Sequence, residues 1–423
     1  MFNWRRQFPV GQGGFHASEL ICEEEWKLRF VYDCGAMSTY AAQRDARIDQ
    51  YIQSVGVGSQ LDMLMISHAH ADHLNGIERL LDSKTGLRVD SIILPFMEFE
   101  ERLFAYARSV ASDVKGVKSE LYKKFILSPS DALARFNPGR IIFFRSGGIG
   151  PDKPGAPGSD ERFPLDRGPD VPPLLHSDSV PKWKFVGAGR VDIHDEKQNA
   201  PQVLTLDDSI AMKIFDHKCG EWLLAPYVDP TVMTKAAAFY SALAKELGKR
   251  TRLLKNDLKE LEKRKELITK NSKELAAAYK AIESDINVTS MSLYSGPSNS
   301  SKSQVIRSHF GGWDTVDYER VAWLGTGDAA LADHSRRDTF LAHYGKLLRQ
   351  VGTLMLPHHG SDRNFHEDLI SRIKPRLFFA AADKIGKWRH PGSRVIQLVA
   401  SSGNFVSVVT SSPDSAFEER IQT

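Results

Sequence analysis

His-Ala-His-Ala-Asp-His at residues 68–73 constrains this chain more than any other stretch. Four metal-ligand side chains fall within six residues, directly after the largely apolar run Leu61-Asp62-Met63-Leu64-Met65-Ile66. That run reads as a strand, and Leu74 to Leu81 as a helix. The fold must therefore bring three imidazoles and a carboxylate to the carboxyl end of a strand, where a tight loop converges them on one or two cations. The plain alternative is a solvated His-rich turn. Two further ligand-type clusters in matching contexts argue against it.

The first is Val321-Ala322-Trp323-Leu324-Gly325-Thr326-Gly327-Asp328, an apolar strand running into a Gly-flanked turn that ends in a carboxylate. Glycine there lets the backbone bend sharply and approach a metal closely. The second is Leu354-Met355-Leu356-Pro357-His358-His359-Gly360-Ser361, again a short strand delivering His to a Gly turn. Alone, a Gly-Asp pair is commonly a plain turn and a His pair commonly surface decoration; the shared design carries the argument. His390-Pro391-Gly392, after the strand Leu377 to Ala381, is a fourth candidate.

His68, His70, Asp72 and His73 match the HxHxDH signature, and the chain thereby resembles the metallo-β-lactamase superfamily. Val10-Gly11-Gln12-Gly13-Gly14 and Phe30-Val31-Tyr32-Asp33-Cys34-Gly35 look like its opening strands, with Asp33 in the place of the first acidic motif. Thr326-Gly327-Asp328-Ala329, His358-His359-Gly360-Ser361 and His390-Pro391 together resemble one branch, the hydrolase domain of ComEC-type DNA-uptake proteins and their free-standing relatives. The resemblance covers residues 8–95 and 286–412 well and the middle poorly. It implies an α/β fold, an αββα metallo-β-lactamase sandwich with the site along one edge of two sheets. It also implies that His68 and His70 hold one metal, that Asp72 and His73 hold a second, that Asp328 bridges the two, and that His358 completes the second site. Asp33 would orient the His loop by hydrogen bonding, and His390 would lie beside the substrate. The family usually has one more His between the first loop and the bridging Asp. The candidates here are His176, His194, His217 and His309, and none stands in a strand-to-turn context.

Imidazole and carboxylate without thiolate suit zinc, and also accept manganese or iron. Two zinc ions about 3.5 to 4 Å apart would share a bridging water and lower its pKa to around 7, giving a metal-activated hydroxide. Asp72, His359 and His390 are the candidate catalytic residues, with His359 or His390 to protonate a leaving oxygen. Ser361 and Lys387 are candidates for contacts to phosphate oxygens.

Net charge is +3, so the whole chain is not strongly basic; that neither demands nor excludes nucleic acid. Cys22, Cys34 and Cys219 are odd in number and scattered, which reads as reduced thiols in a cytoplasmic protein. Arg5-Arg6 faintly echoes a twin-arginine signal, but no apolar stretch follows it. No run of 18 apolar residues exists, so no membrane partner is expected and DNA uptake does not carry over from the resemblance.

The organisation read from the chain is a first fold segment (1–230), an inserted arm (231–285) and a second fold segment (286–423). Residues 146–173, dense in Gly, Pro and Asp, read as a long loop. Within the arm, Tyr240, Leu247, Leu254, Leu261, Ile268, Leu275 and Ile282 recur at strict sevens. That period predicts a long coiled-coil-like helix or hairpin, broken near Asn271-Ser272 and protruding from the fold. Lys235 to Lys280 holds 13 Lys/Arg against 6 Asp/Glu, which suits a solvated face, a nucleic-acid contact, or a protein partner or self-association.

The leading functional expectation is a metal-dependent phosphodiesterase, in particular a nuclease acting on nucleic acid. The alternatives are a small-molecule hydrolase of a lactone, thioester or cyclic nucleotide, and a component of a multi-protein assembly docking through the arm.

Overall fold

The computed structural model describes residues 1–22, 25–147, 156, 183–194, 200–216, 220–230, 235–282, 289–298, 304–310, 313–315, 320–384 and 389–422. Lys387, His176, His217 and nearly all of the 146–173 loop lie outside these residues.

In the first half the strands are β1 (Phe2–Gln7), β2 (Gly13–Cys22), β3 (Glu25–Ala36), β4 (Gln60–Met65), β5 (Arg88–Pro95), β6 (Arg140–Arg145), β7 (Trp183–Gly187), β8 (Val191–Ile193), β9 (Gln202–Asp207), β10 (Ile210–Asp216) and β11 (Gly220–Asp229). The second half adds β12 (Ser290–Pro297), β13 (Gln304–Phe310), β14 (Trp313–Thr315), β15 (Ala322–Gly325), β16 (Val351–Met355), β17 (Leu377–Ala381), β18 (Val406–Val409) and β19 (Phe417–Gln422). The helices are α1 (Ala41–Val55), α2 (Ala71–Leu74), α3 (Ile77–Leu80), α4 (Phe99–Ser112), α5 (Glu120–Leu127), α6 (Pro129–Ala134), α7 (Ala236–Glu246), α8 (Thr251–Asp257), α9 (Leu261–Lys270), α10 (Ser272–Ala281), α11 (His334–Tyr344), α12 (Asp368–Ile373) and α13 (Ser393–Ser401).

The fold is mixed α/β with two large mixed sheets. One runs β14-β13-β19-β1-β2-β3-β4-β5-β6-β9-β8, the other β18-β17-β16-β15-β12-β11-β10-β7. Each sheet takes strands from both halves of the chain. β3, β4, β5, β6 and β9 are mutually parallel, as are β15, β16, β17 and β18.

The continuous apolar run at 61–66 follows from burial on both faces of β4. Met63 and Met65 pack against second-sheet residues including Met291, Trp323 and Met355. Leu64 points the other way, and with Leu61 at the strand's start it joins a core shared with α1, α4, α5 and α7 to α10. A third core joins the far face of the second sheet to Phe340, Leu369 and Val395 of α11, α12 and α13. Arg5 of β1 ties the sheets together. It is 1% exposed, donates to Glu419 (2.6 Å) of β19, and reaches Val321 O (2.8 Å) and Thr353 Oγ1 beside the second sheet.

Three expectations change. The helix read over 74–81 is two single turns, because Asn75 bonds both backbone groups of Ala36 and Gly76 N donates to Cys34 O, pinning the chain to β3. Between Phe99 and Leu127 the chain forms two helices, α4 and α5, and Ser119 restarts α5 as its N-cap. Cys22 is disulfide-bonded, which overturns the expectation of three reduced thiols; Cys34 is free and buried.

The largest change is the arm. It folds as four short helices packed on α4, in one core with the first sheet, and not as a protruding coiled coil. Phe239, Leu243, Ile268 and Leu275 are fully buried there, while Leu261, on the same period, is 52% exposed. Gly248, at φ +62, ends α7 with Lys249 N bonding Ala244 O, and the turn at Leu258 to Glu260 ends α8. Each break resets the helical phase, so the period of seven spans separate helices and defines no single seam. The break at Asn271 falls where it was read. Among the described residues no helix is long and apolar enough to cross a membrane.

Candidate metal centre

Every ligand-type cluster sits at the carboxyl end of a parallel strand. Asp33 is at the end of β3, residues 68–73 follow β4, Asp328 follows β15, His358 and His359 follow β16, and the Ala381 carbonyl ends β17. The loops after these strands therefore meet at one edge of the two sheets.

Asp33 organises the His loop. It is fully buried at φ +60. Its Oδ1 accepts from Ser67 N (2.7 Å), and its Oδ2 accepts from Ser67 Oγ (2.7 Å) and His73 Nδ1 (2.8 Å). Ser67 has one hydroxyl hydrogen, so by donating it to Asp33 it must accept from His68 Nδ1, 2.8 Å away. His359 Nδ1 donates to Ala381 O (2.7 Å). In all three imidazoles Nδ1 is thus committed as a donor, which leaves Nε2 as the atom to face a metal ion. The space is made by glycines: a Cβ on Gly14 would lie 3.1 Å from His73 Nδ1, and one on Gly35 would lie 2.6 Å from Asp72 O.

The other loops are tied as tightly. Gly327 adopts φ +52, and a Cβ there would lie 2.4 Å from Ser290 Oγ, the atom that accepts from Asp328 N at 2.9 Å. His358 N donates to Gly327 O (2.8 Å). His358 and His359 both take positive φ, +50 and +57. Left-handed backbone costs roughly 1–2 kcal/mol at each non-glycine residue, and here it turns two successive imidazoles inward. Ser361 Oγ accepts from Arg363 N (3.3 Å) and closes that turn.

Two groups of ligand atoms lie within 4.8 Å of one another: His68, His73 and Asp328, and Asp72, His73 and His359. They share His73. Asp72 Oδ2 is 3.8 Å from His73 Nε2 and 3.7 Å from His359 Nε2. A tetrahedral site with bonds of about 2.1 Å has ligand-to-ligand edges of roughly 3.4 Å, so little adjustment is needed. His359, and not His358, joins Asp72 and His73. His358 Nε2 and His70 Nδ1 each approach Asp328 Oδ2 to 3.6 Å, and His68 Nε2 to 3.5 Å. His390 is half-buried, its ring 5.9 Å from His358 and 6.4 Å from His359. His194 bonds Thr205 Oγ1 on β9, and His309 stands in β13, four positions from β3 in the sheet. His194 joins neither ligand group.

The residues fit a cation. The Nε2 atoms of His68 and His73 are buried without a hydrogen-bond partner, and a buried polar atom left unpaired is costly. Burial alone would raise the Asp328 carboxyl, but the surrounding imidazoles, His358 and His68 foremost, hold it well below the usual range. Burial pushes His68, His70 and His358 down. His73 goes the other way, up to about 9: burial works to lower it, and Asp33 and Asp72 outweigh that. His390 is lowered to about 4 by burial and by His359.

Four contributing residues carry no motif in the sequence. Ser67 relays Asp33 to His68. Tyr122 on α5 donates to Ala69 O (2.8 Å), and Ser109 on α4 accepts from Ala71 N (3.3 Å), so two helices brace the His loop. Arg108, 7% exposed, donates from Nη2 to His358 Nε2 at 2.7 Å. Its signal was a charge inside an apolar stripe, four residues after Phe104 and beside Ala107. No protein-family model and no curated protein compared with this chain matches it.

Proposed function

We propose that this chain is a metal-dependent hydrolase with an αββα metallo-β-lactamase sandwich, acting on phosphodiesters, with nucleic acid as the first substrate class. The observation that carries the reading is His73. It belongs to both ligand groups, and its Nδ1 is tied to a buried carboxylate while its Nε2 faces the centre without a partner. The three successive cores, helices on sheet, sheet on sheet and sheet on helices, support the layer order. The donor chemistry suits zinc, with manganese or iron also accommodated.

A divalent cation bound there supplies Lewis acidity and acidifies a coordinated water. The chain's own residues do the rest. Asp33, Ser67 and the Ala381 carbonyl keep His73, His68 and His359 in one tautomer, and Asp72 and Asp328 supply the negative charge. His390, neutral at pH 7, can accept a proton or donate a hydrogen bond at the rim. The test is a panel of DNA, RNA and model phosphodiesters with zinc and with manganese, run on wild type and Asp328→Ala. Cleavage by wild type, lost in the variant, is expected; inactivity of metal-loaded wild type on every phosphodiester would sink the reading.

A second reading, a hydrolase of small lactones, thioesters or cyclic nucleotides, is favoured by burial. The histidines and Asp328 of the centre, His390 apart, are at most 8% exposed, which suits a small substrate in a closed pocket. Turnover of such esters without cleavage of any polymer would select it.

A further inference from the structure

The centre has two ends, and their ligand groups share His73. Asp72, His73 and His359 converge at one end. At the other, His68 and Asp328 complete a ligand group only with that same His73, and His70 and His358 each approach Asp328 without joining a group. The lone pair of His358 Nε2, which faces Asp328, is taken by Arg108 Nη2 at 2.7 Å. Guanidinium does not deprotonate in proteins, so this hydrogen bond puts a permanent positive charge where a second metal ion would need a free imidazole. The charge is firmly placed. Arg108 belongs to α4, whose next residue, Ser109, accepts from Ala71 N of the His loop. Behind α4, Tyr106 OH donates to Ile268 O of α9, and Phe104 packs edge-on against Phe239 of α7 with ring centroids 4.5 Å apart.

We propose that the centre holds a single divalent cation, at the Asp72–His73–His359 end, and that the Arg108 guanidinium against His358 takes the part of a second. The substrate class is then an anion, met by one metal ion and one arginine, as a phosphodiester oxygen would be. The inference rests on the metal-dependent hydrolase reading above. It also gives the four inserted helices a role, since they hold the helix that carries Arg108.

The test uses the full-length protein, stripped by chelation, reloaded with zinc alone, and assayed by elemental analysis and by calorimetric titration with inorganic phosphate. Wild type should bind one zinc per chain. Arg108→Met, which keeps the apolar stem and removes the charge, should bind two and should lose at least tenfold in phosphate affinity. Arg108→Lys, which keeps a charge, should stay at one zinc and retain part of that affinity, and it guards against misfolding of the Met variant. Two zinc ions in wild type, or an Arg108→Met variant unchanged in both stoichiometry and phosphate affinity, would overturn the inference. The two proposals fail differently: no zinc at all contradicts both, whereas one zinc without turnover of any ester contradicts only the hydrolase reading.

Discussion

At the scale of single residues, Asp33 is where sequence pattern and chemistry meet most closely. Its carboxylate takes three hydrogen bonds, one of which sets the tautomer of His73. Asp33→Asn keeps the shape, and Asn tolerates positive φ as readily as Asp, so the change isolates the charge and the acceptor. Metal affinity should fall roughly 10- to 100-fold, as for other partners of metal-bound imidazoles, in a competition titration with a chromophoric chelator; unchanged affinity would remove Asp33 from the account. The histidines also predict a pH profile for the metal-free protein. His73, raised to about 9, stabilises the fold fully below the unfolded value near 6.5, and that contribution drains away as pH rises through 9. The difference amounts to ~3 kcal/mol. His68, His70 and His358, lowered by burial, act oppositely and withdraw stability as pH falls below about 6.5. Chelated protein should therefore be most stable near neutrality, with its urea midpoint falling on both sides. A midpoint that climbs from pH 7 to 9 would contradict this.

At the scale of elements, the ligand clusters were legible because each follows an apolar strand, and those at Asp328 and His358 also carry a glycine turn, so local pattern and geometry agree. Arg108 and Ser67 were not, because their roles depend on which loop each faces across the fold. The residues of 231–285 were misread for a different reason: a regular period of seven survives three helix breaks, and only packing on α4 shows which of its positions are buried. Phe239, Leu243, Ile268 and Leu275 now belong to the principal core. Their solvent-facing lysines pair locally with neighbouring acids, as Lys265 does with Glu262 and Lys249 with Asp257, and such exposed pairs contribute little to stability. Deleting residues 235–282 should therefore cost the fold, where removal of a protruding arm would leave it intact. Loss of cooperative unfolding in urea is expected; a truncated protein that unfolds cooperatively and still binds zinc would contradict the packing described.

At the scale of the whole molecule, the two sheets must hold their relative position to within a fraction of an ångström if loops from both are to share one centre. Arg5 and Glu419 act there, a buried ion pair between β1 and β19 that also reaches Val321 O and Thr353 of the other sheet. The terminal strand β19 carries no glycine turn or ligand cluster to announce it, and its pairing with β1 joins opposite ends of the chain. Glu419→Gln strands a buried guanidinium and should cost about 3–5 kcal/mol, whereas Arg5→Met with Glu419→Leu removes both charges and should cost much less; equal losses in chemical denaturation would contradict the ion-pair account. The centre itself is tested most directly at the residue its two ligand groups share. Metal content is measured by elemental analysis on folded wild type and His73→Ala after equilibration with the same zinc concentration. Wild type is predicted to retain zinc and His73→Ala, still folded by circular dichroism, to retain essentially none. A His73→Ala protein as fully loaded as wild type would contradict the account.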